Sequence, residues 1–306
     1  MQTRTIRHKQ RFAHSMAVAC LSSLFLLLLT SCTQSSAQAK SSMLSRSSHP
    51  PVSYTSQIVE RGRAPDDLAF DQQGDLIFSS ARQGTINRLN ADGSVTVLLH
   101  DPHAPEGIVV LADGTMIFAE QRTNRIMSLA PGTTVPVVLR VLPGTNGKGC
   151  SEGVDGIGLD PTTQTLIVPD SPTGDVYRMS LDGKTLTLLA SGLSRPVGAG
   201  VDSAGNIYIA DECGGAITAI SSTGTITQMG GFGSPDDVVS GGPTTLFVVD
   251  LAASAHALLQ VDLTTGIHTT IANQGLREPQ GVIVDTHGDI FVSDDSANLV
   301  EEFIPG

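Results

Sequence analysis

Apolar and polar positions alternate through most of this chain in short runs, and the runs return in a fixed order. From Pro105 it reads PEGIVVLADGTMIFAEQRTNRIMSL. An apolar stretch, GIVV, meets a turn at Asp113-Gly114. A second stretch of β-branched and aromatic residues, TMIFAE, ends in an acid, and a polar loop leads to a third, RIMSL. The same order recurs as PDDLAFDQQGDLIFSS from Pro65, VDGIGLDPTTQTLIVPDS from Val154 and PVGAGVDSAGNIYIADE from Pro196. It recurs again as PDDVVSGGPTTLFVVD from Pro235 and PQGVIVDTHGDIFVSDD from Pro279. Fourth stretches such as SVTVLL, TLTLLA and TITQMG close the units after a glycine turn. β-propensity runs punctuated by Gly, Asp and Asn predict strands joined as hairpins. No segment carries helical periodicity.

The openings at 65, 105, 154, 196, 235 and 279 are separated by 40, 49, 42, 39 and 44 residues. A period near 40 in an all-β pattern predicts propeller blades, each a four-stranded sheet. The sixth unit stops after its third strand, NLVEEFI, while SYTSQIVERG precedes the first unit where a fourth strand would stand. The N-terminal strand is therefore expected to complete the last blade, which removes a free sheet edge. The predicted fold is an all-β, six-bladed propeller over residues 53–306, one domain of the 306-residue chain.

Ahead of it, Arg4, Arg7, Lys9 and Arg11 precede the apolar run LFLLLLTS. A basic stretch followed by an apolar run too short to span a bilayer predicts a secretory leader over residues 1–31. Its end, Leu29-Thr30-Ser31-Cys32, resembles the bacterial lipobox, which makes Cys32 the lipid-bearing residue; as an ordinary signal it would leave Cys32 incidental. Residues 32–52, rich in Ser, Gln and Ala, read as a flexible tether. The expected location is extracytoplasmic, lipid-anchored to a bacterial membrane, with the anchor as the sole membrane contact. The leader holds four basic residues and no acid, so without it the formal charge of −12 becomes −16. Such a surface repels phosphates and argues against nucleic-acid binding. The expected partner is a small molecule or protein at the channel mouth, and the expected state a monomer. Of the four cysteines, Cys20 leaves with the leader, and Cys150 and Cys213 remain in an oxidising compartment. They fall in loops of neighbouring blades opening on one face, so a disulfide is predicted.

The phrase PEGIVVLADGTMIFAEQRTNRI resembles an NHL repeat. The set resembles the six-bladed propellers of the NHL and SMP-30/gluconolactonase/strictosidine synthase group, across essentially all of the mature chain. Streptogramin lyases share a similar phrase but have seven blades. The absence of Trp disfavours WD-repeat propellers.

The residue after each opening is Asp66, Glu106, Asp155, Val197, Asp236 and Gln280 in turn. Blade symmetry aims all of them at one mouth of the channel. Crowded carboxylates must raise their pKa values or take up a cation, and carboxylate and amide oxygens suit Ca²⁺ or a similar hard divalent ion. Asp66, Glu106, Asp155 and Asp236 are thus the candidate metal ligands, with Gln280 able to add an amide oxygen; alternatively they cap strand starts or face solvent. The resemblance implies one divalent ion held by an acid from an early blade, an Asn from a middle blade and an Asp from the next. Asp66 and Asp236 match, but Val197 replaces the Asn, and valine ligates nothing.

A second acidic series, Glu120, Asp170, Asp211, Asp250 and Asp294, closes the second strands. These acids are expected to brace the polar loop that follows each of them, and Asp170, Asp211 and Asp250 are also binding-face candidates. His103 and His256 should reach the same face, as general base or ligand; His268 and His287 fall elsewhere. Three readings stay open, of which a purely structural role in the envelope has no residue of its own to support it. Of the other two, one is a metal-dependent hydrolase of lactones or esters in the gluconolactonase manner. The other is a non-catalytic platform that binds a ligand or a protein.

Overall fold

The computed structural model describes residues 52–306; the predicted leader, Cys32 and most of the predicted tether lie outside the described residues. Six four-stranded antiparallel sheets form six blades. Their first strands are Leu68–Phe70, Pro105–Val110, Gly158–Asp160, Pro196–Val201, Pro235–Gly242 and Pro279–Val284, and these touch one another around the ring. Each phrase opening thus sits at the channel, as the period demands.

The ring closes as predicted. Tyr54–Arg61 pairs antiparallel with Leu299–Pro305 and becomes the outer strand of blade 6. The join brings Tyr54 opposite Pro305 and Arg61 opposite Leu299, with a bulge between Ile58 and Glu60. It removes the unpaired edge that the last three strands would present.

The core is divided among the blade interfaces. Phe118, Ile86 and Met127 fill the space between blades 1 and 2, and Val197, Ile217, Val238 and Val248 that between blades 4 and 5. Phe78 packs with Val300 where the last blade meets the first. Phe78 and Phe118 are fully buried, and truncating either to alanine should cost about 3–5 kcal/mol.

The inner strands run very close together. The third phrase position is glycine in four blades: Gly107, Gly156, Gly198 and Gly281. A Cβ on Gly198 would stand 2.6 Å from the backbone oxygen of Asp236, closer than packing allows. In blades 1 and 5 the same position is Asp67 and Asp237. Each carboxylate reaches sideways, Asp67 accepting the N–H of Ile108 at 2.9 Å and Asp237 that of Val282 at 2.9 Å. They tie blade 1 to blade 2 and blade 5 to blade 6.

Candidate functional site

The second phrase positions converge on one end of the channel. Carboxylate oxygens of Asp66, Glu106 and Asp155 lie within 4.8 Å of one another. Asp66 and Asp155 of that trio line a small space together with Asp236 and Gln280, and with Asp67 and Asp237 from the position below. The enclosed space leaves about 10 Å³ for the centre of a water-sized body, which is room for one water or one bare ion. Anything larger must sit above it.

Burial pushes the carboxyls of Asp66, Glu106 and Asp236 well above the usual carboxylate range, and the charge of Asp155 adds to the effect at each. Asp67 is raised by burial and by Asp237; Asp237 itself is pushed up to about 7 by burial, against the N–H bonds of Val282 and Val238.

One cation is built in, and it is not a phrase residue. Arg195, 8% exposed, stands immediately before the blade 4 phrase. Its guanidinium contacts Asp155 at 2.9 Å, forms an ion pair with Glu212 and lies 3.9 Å from Glu152. Burial by itself would lower its pKa, and the surrounding Asp155, Asp236, Glu106 and Glu152 outweigh this. Gln121 adds donors from its amide nitrogen, 2.9 Å from Glu106 and 3.2 Å from Asp155. Val197 is fully buried in the core between blades 4 and 5, so blade 4 contributes Arg195 to the mouth and no oxygen from its phrase.

The predicted disulfide is present. Cys150 and Cys213 are bonded, with Cα atoms 6.1 Å apart. Cys213 follows Glu212 and Cys150 lies two residues before Glu152, so the bridge joins the two loops whose acids flank Arg195.

The second acidic series braces a different loop from the one expected. Its acids accept N–H groups mainly from the loop that leads into their own blade, because the strand pairing sets them opposite the phrase opening: Asp211 faces Pro196, Asp250 faces Pro235 and Asp294 faces Pro279. Asp170 takes the N–H of Gly144 and the Asn124 amide. Asp211 takes the N–H groups of Ser194 and Arg195, Asp250 those of Gly233 and Ser234, and Asp294 those of Arg277 and Glu278. The following loop contributes less, through Ala252 to Asp250 and Ala297 to Asp294. The oxygens of Asp170, Asp211 and Asp250 are thereby engaged. Glu120 is the exception, bonded to the Thr123 hydroxyl and to no backbone N–H.

His103 lies in the loop into blade 2, its Nδ1 3.0 Å from Asp101. His256 has a positive φ of 40° just before the third strand of blade 5, and its buried Nδ1 has no partner. A cavity of about 630 Å³ lies at the other end of the strands, between the turns of blades 1 and 2. Nothing in the sequence flagged it, and its Asp71 is taken up by the N–H groups of its own turn.

Neither a family model nor a curated protein sequence matches this chain. Solved propellers do. A gluconolactonase from Xanthomonas campestris aligns with a TM-score of 0.65 at 17% identity, covering 83% of this chain and 90% of that one. Virginiamycin B lyase from Staphylococcus aureus, in complex with quinupristin, aligns at 0.62 and 20%, covering 80% and 82%. PQQ-bound aldose sugar dehydrogenase from Streptomyces coelicolor aligns at 0.63 and 14%, covering 84% and 100%. At such identities the likeness establishes the propeller fold and leaves the chemistry to the site.

Proposed function

We propose that this chain is a divalent-cation-binding propeller that hydrolyses a small lactone or ester at its channel mouth, as the gluconolactonase neighbour's name suggests. The observation that carries this is the convergence of Asp66, Glu106 and Asp155 within 4.8 Å of one another, with Asp66 and Asp155 lining a space of ion size beside Asp236. An all-oxygen donor set of this charge fits a hard ion such as Ca²⁺. When bound, the ion supplies Lewis-acid polarisation of a carbonyl. Asp236, beside the trio and raised by burial and by Asp155, is the carboxyl placed to accept and return a proton. Gln121 and Arg195 hold Asp155 in position. The leader and Cys32 place the protein outside the cytoplasm on a lipid anchor in this reading, and Cys32→Ala should release it from membranes.

A non-catalytic binding platform is the second reading, favoured by two observations. Val197 is buried where the resemblance calls for an Asn ligand, and Arg195 already places a positive charge at the mouth. A lactone and ester panel with and without Ca²⁺ and Mn²⁺, run beside melting curves, separates the two. Cation-dependent hydrolysis lost in Asp236→Asn supports the enzyme. A cation-induced melting shift without turnover supports the platform, and no shift with any divalent ion removes the cation from both. Arg195→Met sharpens the test: relieved of its internal competitor, the mouth should bind Ca²⁺ more tightly.

A further inference from the structure

Blade 2 departs from the bracing pattern of blades 3 to 6. In blades 3 to 6 the acid that ends the second strand holds the N–H groups of the loop leading into the blade. In blade 2 that loop holds itself: Asp101 Oδ1 accepts the N–H of His103 at 2.8 Å. Glu120, set opposite Pro105 by the strand pairing, is released from bracing and turns towards the same loop.

What it meets there is a donor set. Asp101, His103 and Glu120 each offer an atom within 4.8 Å of the others. His103 Nδ1 is 3.0 Å from Asp101 Oδ1 and 3.8 Å from Glu120 Oε1. Both carboxylates have one oxygen fixed and one to give. The Thr123 hydroxyl holds Glu120 Oε2. Asp101 is 4% exposed, and its Oδ2 is buried with no hydrogen-bond partner at all. Buried carboxylate oxygens are normally satisfied; this one has no donor in the protein and belongs to the cluster, where a bound cation would supply its partner. The Arg122 guanidinium nearby is engaged on the Pro102 carbonyl instead. His103, with its side chain 49% exposed, keeps one side of the cluster open to water.

We propose that Asp101, His103 and Glu120 form a second divalent-metal site, at the loop leading into blade 2 and distinct from the channel mouth. One imidazole with two carboxylates selects a borderline transition metal of the Zn²⁺, Co²⁺ or Mn²⁺ kind, whereas the all-oxygen mouth selects Ca²⁺ or Mg²⁺. Three protein ligands with a solvent-facing side leave room for water to complete the coordination. The Thr123 hydroxyl and the His103 N–H act as outer partners that orient the two carboxylates. The site stands whether or not the mouth holds an ion.

A second cluster of one histidine and two carboxylates provides the control. Asp285, His287 and Asp289 also lie together. There Asp285 accepts the N–H groups of His287 and Asp289 and the His287 ring, so neither of its oxygens is unpartnered.

Co²⁺ is the probe, because its visible absorption changes when protein ligands replace its waters, and the His103 variant then tests for the imidazole. The full chain should bind Co²⁺, Zn²⁺ should displace it, and excess Ca²⁺ should not. His103→Ala should weaken binding by more than about tenfold, as should Glu120→Gln, while His287→Ala and Asp236→Asn retain it. His103 is half exposed, so its alanine variant is expected to melt like the wild type in chelator and to report binding alone. Unchanged Co²⁺ affinity in His103→Ala overturns the proposal, as does full displacement by Ca²⁺.

Discussion

In blades 3 and 5 two carboxylates lie within a residue or two of each other across the first strand pair, one at the phrase position and one at the end of the second strand, and they have opposite fates. Asp250, at the end of a second strand, gathers the N–H groups of Gly233, Ser234 and Ala252 at 2.7 to 3.0 Å. Asp236, one residue past the Pro235 that faces it, is buried without such partners, and burial and Asp155 raise its pKa. Residue type and blade face are shared. The difference lies in backbone geometry: the strand end points at a loop whose amides have no ladder partner, while the phrase position points into a narrow channel lined by other acids. A carboxylate fed by backbone N–H groups is structural; one denied them waits for a proton or a cation.

The widest test of that contrast is pH. Asp66, Asp67, Glu106, Asp236 and Asp237 all have raised pKa values, Asp237 reaching about 7. Between roughly pH 4 and 7 the cation-free native protein then binds more protons than the unfolded chain, so its stability must fall as pH rises through that window. Asp160 works in the other direction lower down. Burial would raise it, but hydrogen bonds from Thr162, Arg178 and Thr163 prevail and lower it, so its contribution is present above about pH 4 and lost below. Melting in chelator should be higher at pH 5 than at pH 8, and Ca²⁺ should recover the difference at pH 8 with little effect at pH 5. A melting temperature that climbs from pH 5 to 8 without cation would place the mouth acids among the satisfied ones.

Next in size is the cross-link between the regions. Cys150–Cys213 spans 63 residues, which the chain-entropy account values at about 4 kcal/mol. The double serine variant should lose that much in urea unfolding. It should also loosen the two loops beside Arg195, and so change Ca²⁺ binding where a purely structural bridge would not.

A bracing acid should follow. Asp250→Ala strips three N–H groups of their acceptor and should cost about 3 kcal/mol, with the cation-induced melting shift unchanged. If that shift disappears instead, the bracing set belongs to the binding site after all.

The fold was legible because a period of about 40 residues, turn residues and a missing fourth strand all point to one closed ring. The mouth was legible in part. Position in the phrase predicts that Asp66, Glu106 and Asp155 meet, since symmetry does the work. Arg195 escaped because it stands one residue outside the phrase, and its role depends on loops brought together from residues 152 and 212; a lone arginine before a phrase opening in an acidic chain was the available signal. Asp67 and Asp237 were visible in the doubled PDD of blades 1 and 5, but their reach to the next blade depends on how closely the inner strands approach. Glu120 looked like any other member of its series. Only the folded chain reveals that Asp101 has taken over its bracing work.

The smallest effect is the sharpest, because its sign is reversed. Asp66 has no hydrogen-bond donor to its carboxylate among the described contacts; Asp155, Asp67 and Asp295 repel it, and only Arg195 offsets them. Asparagine has the same shape, carries no charge and can donate to Asp155. At pH 8 in chelator, Asp66→Asn should therefore stabilise the protein by about 1 kcal/mol, raising the melting temperature by roughly 2–4 °C, whereas the loss of a bracing acid lowers it. With Ca²⁺ the order should invert: wild type gains from the ion by mass action, and the variant, short of one ligand, gains less. An Asp66→Asn protein that melts lower than wild type in chelator would mean that Asp66 is held by contacts of its own, and the distinction between the two acid sets would fail at the position where it is most exposed to test.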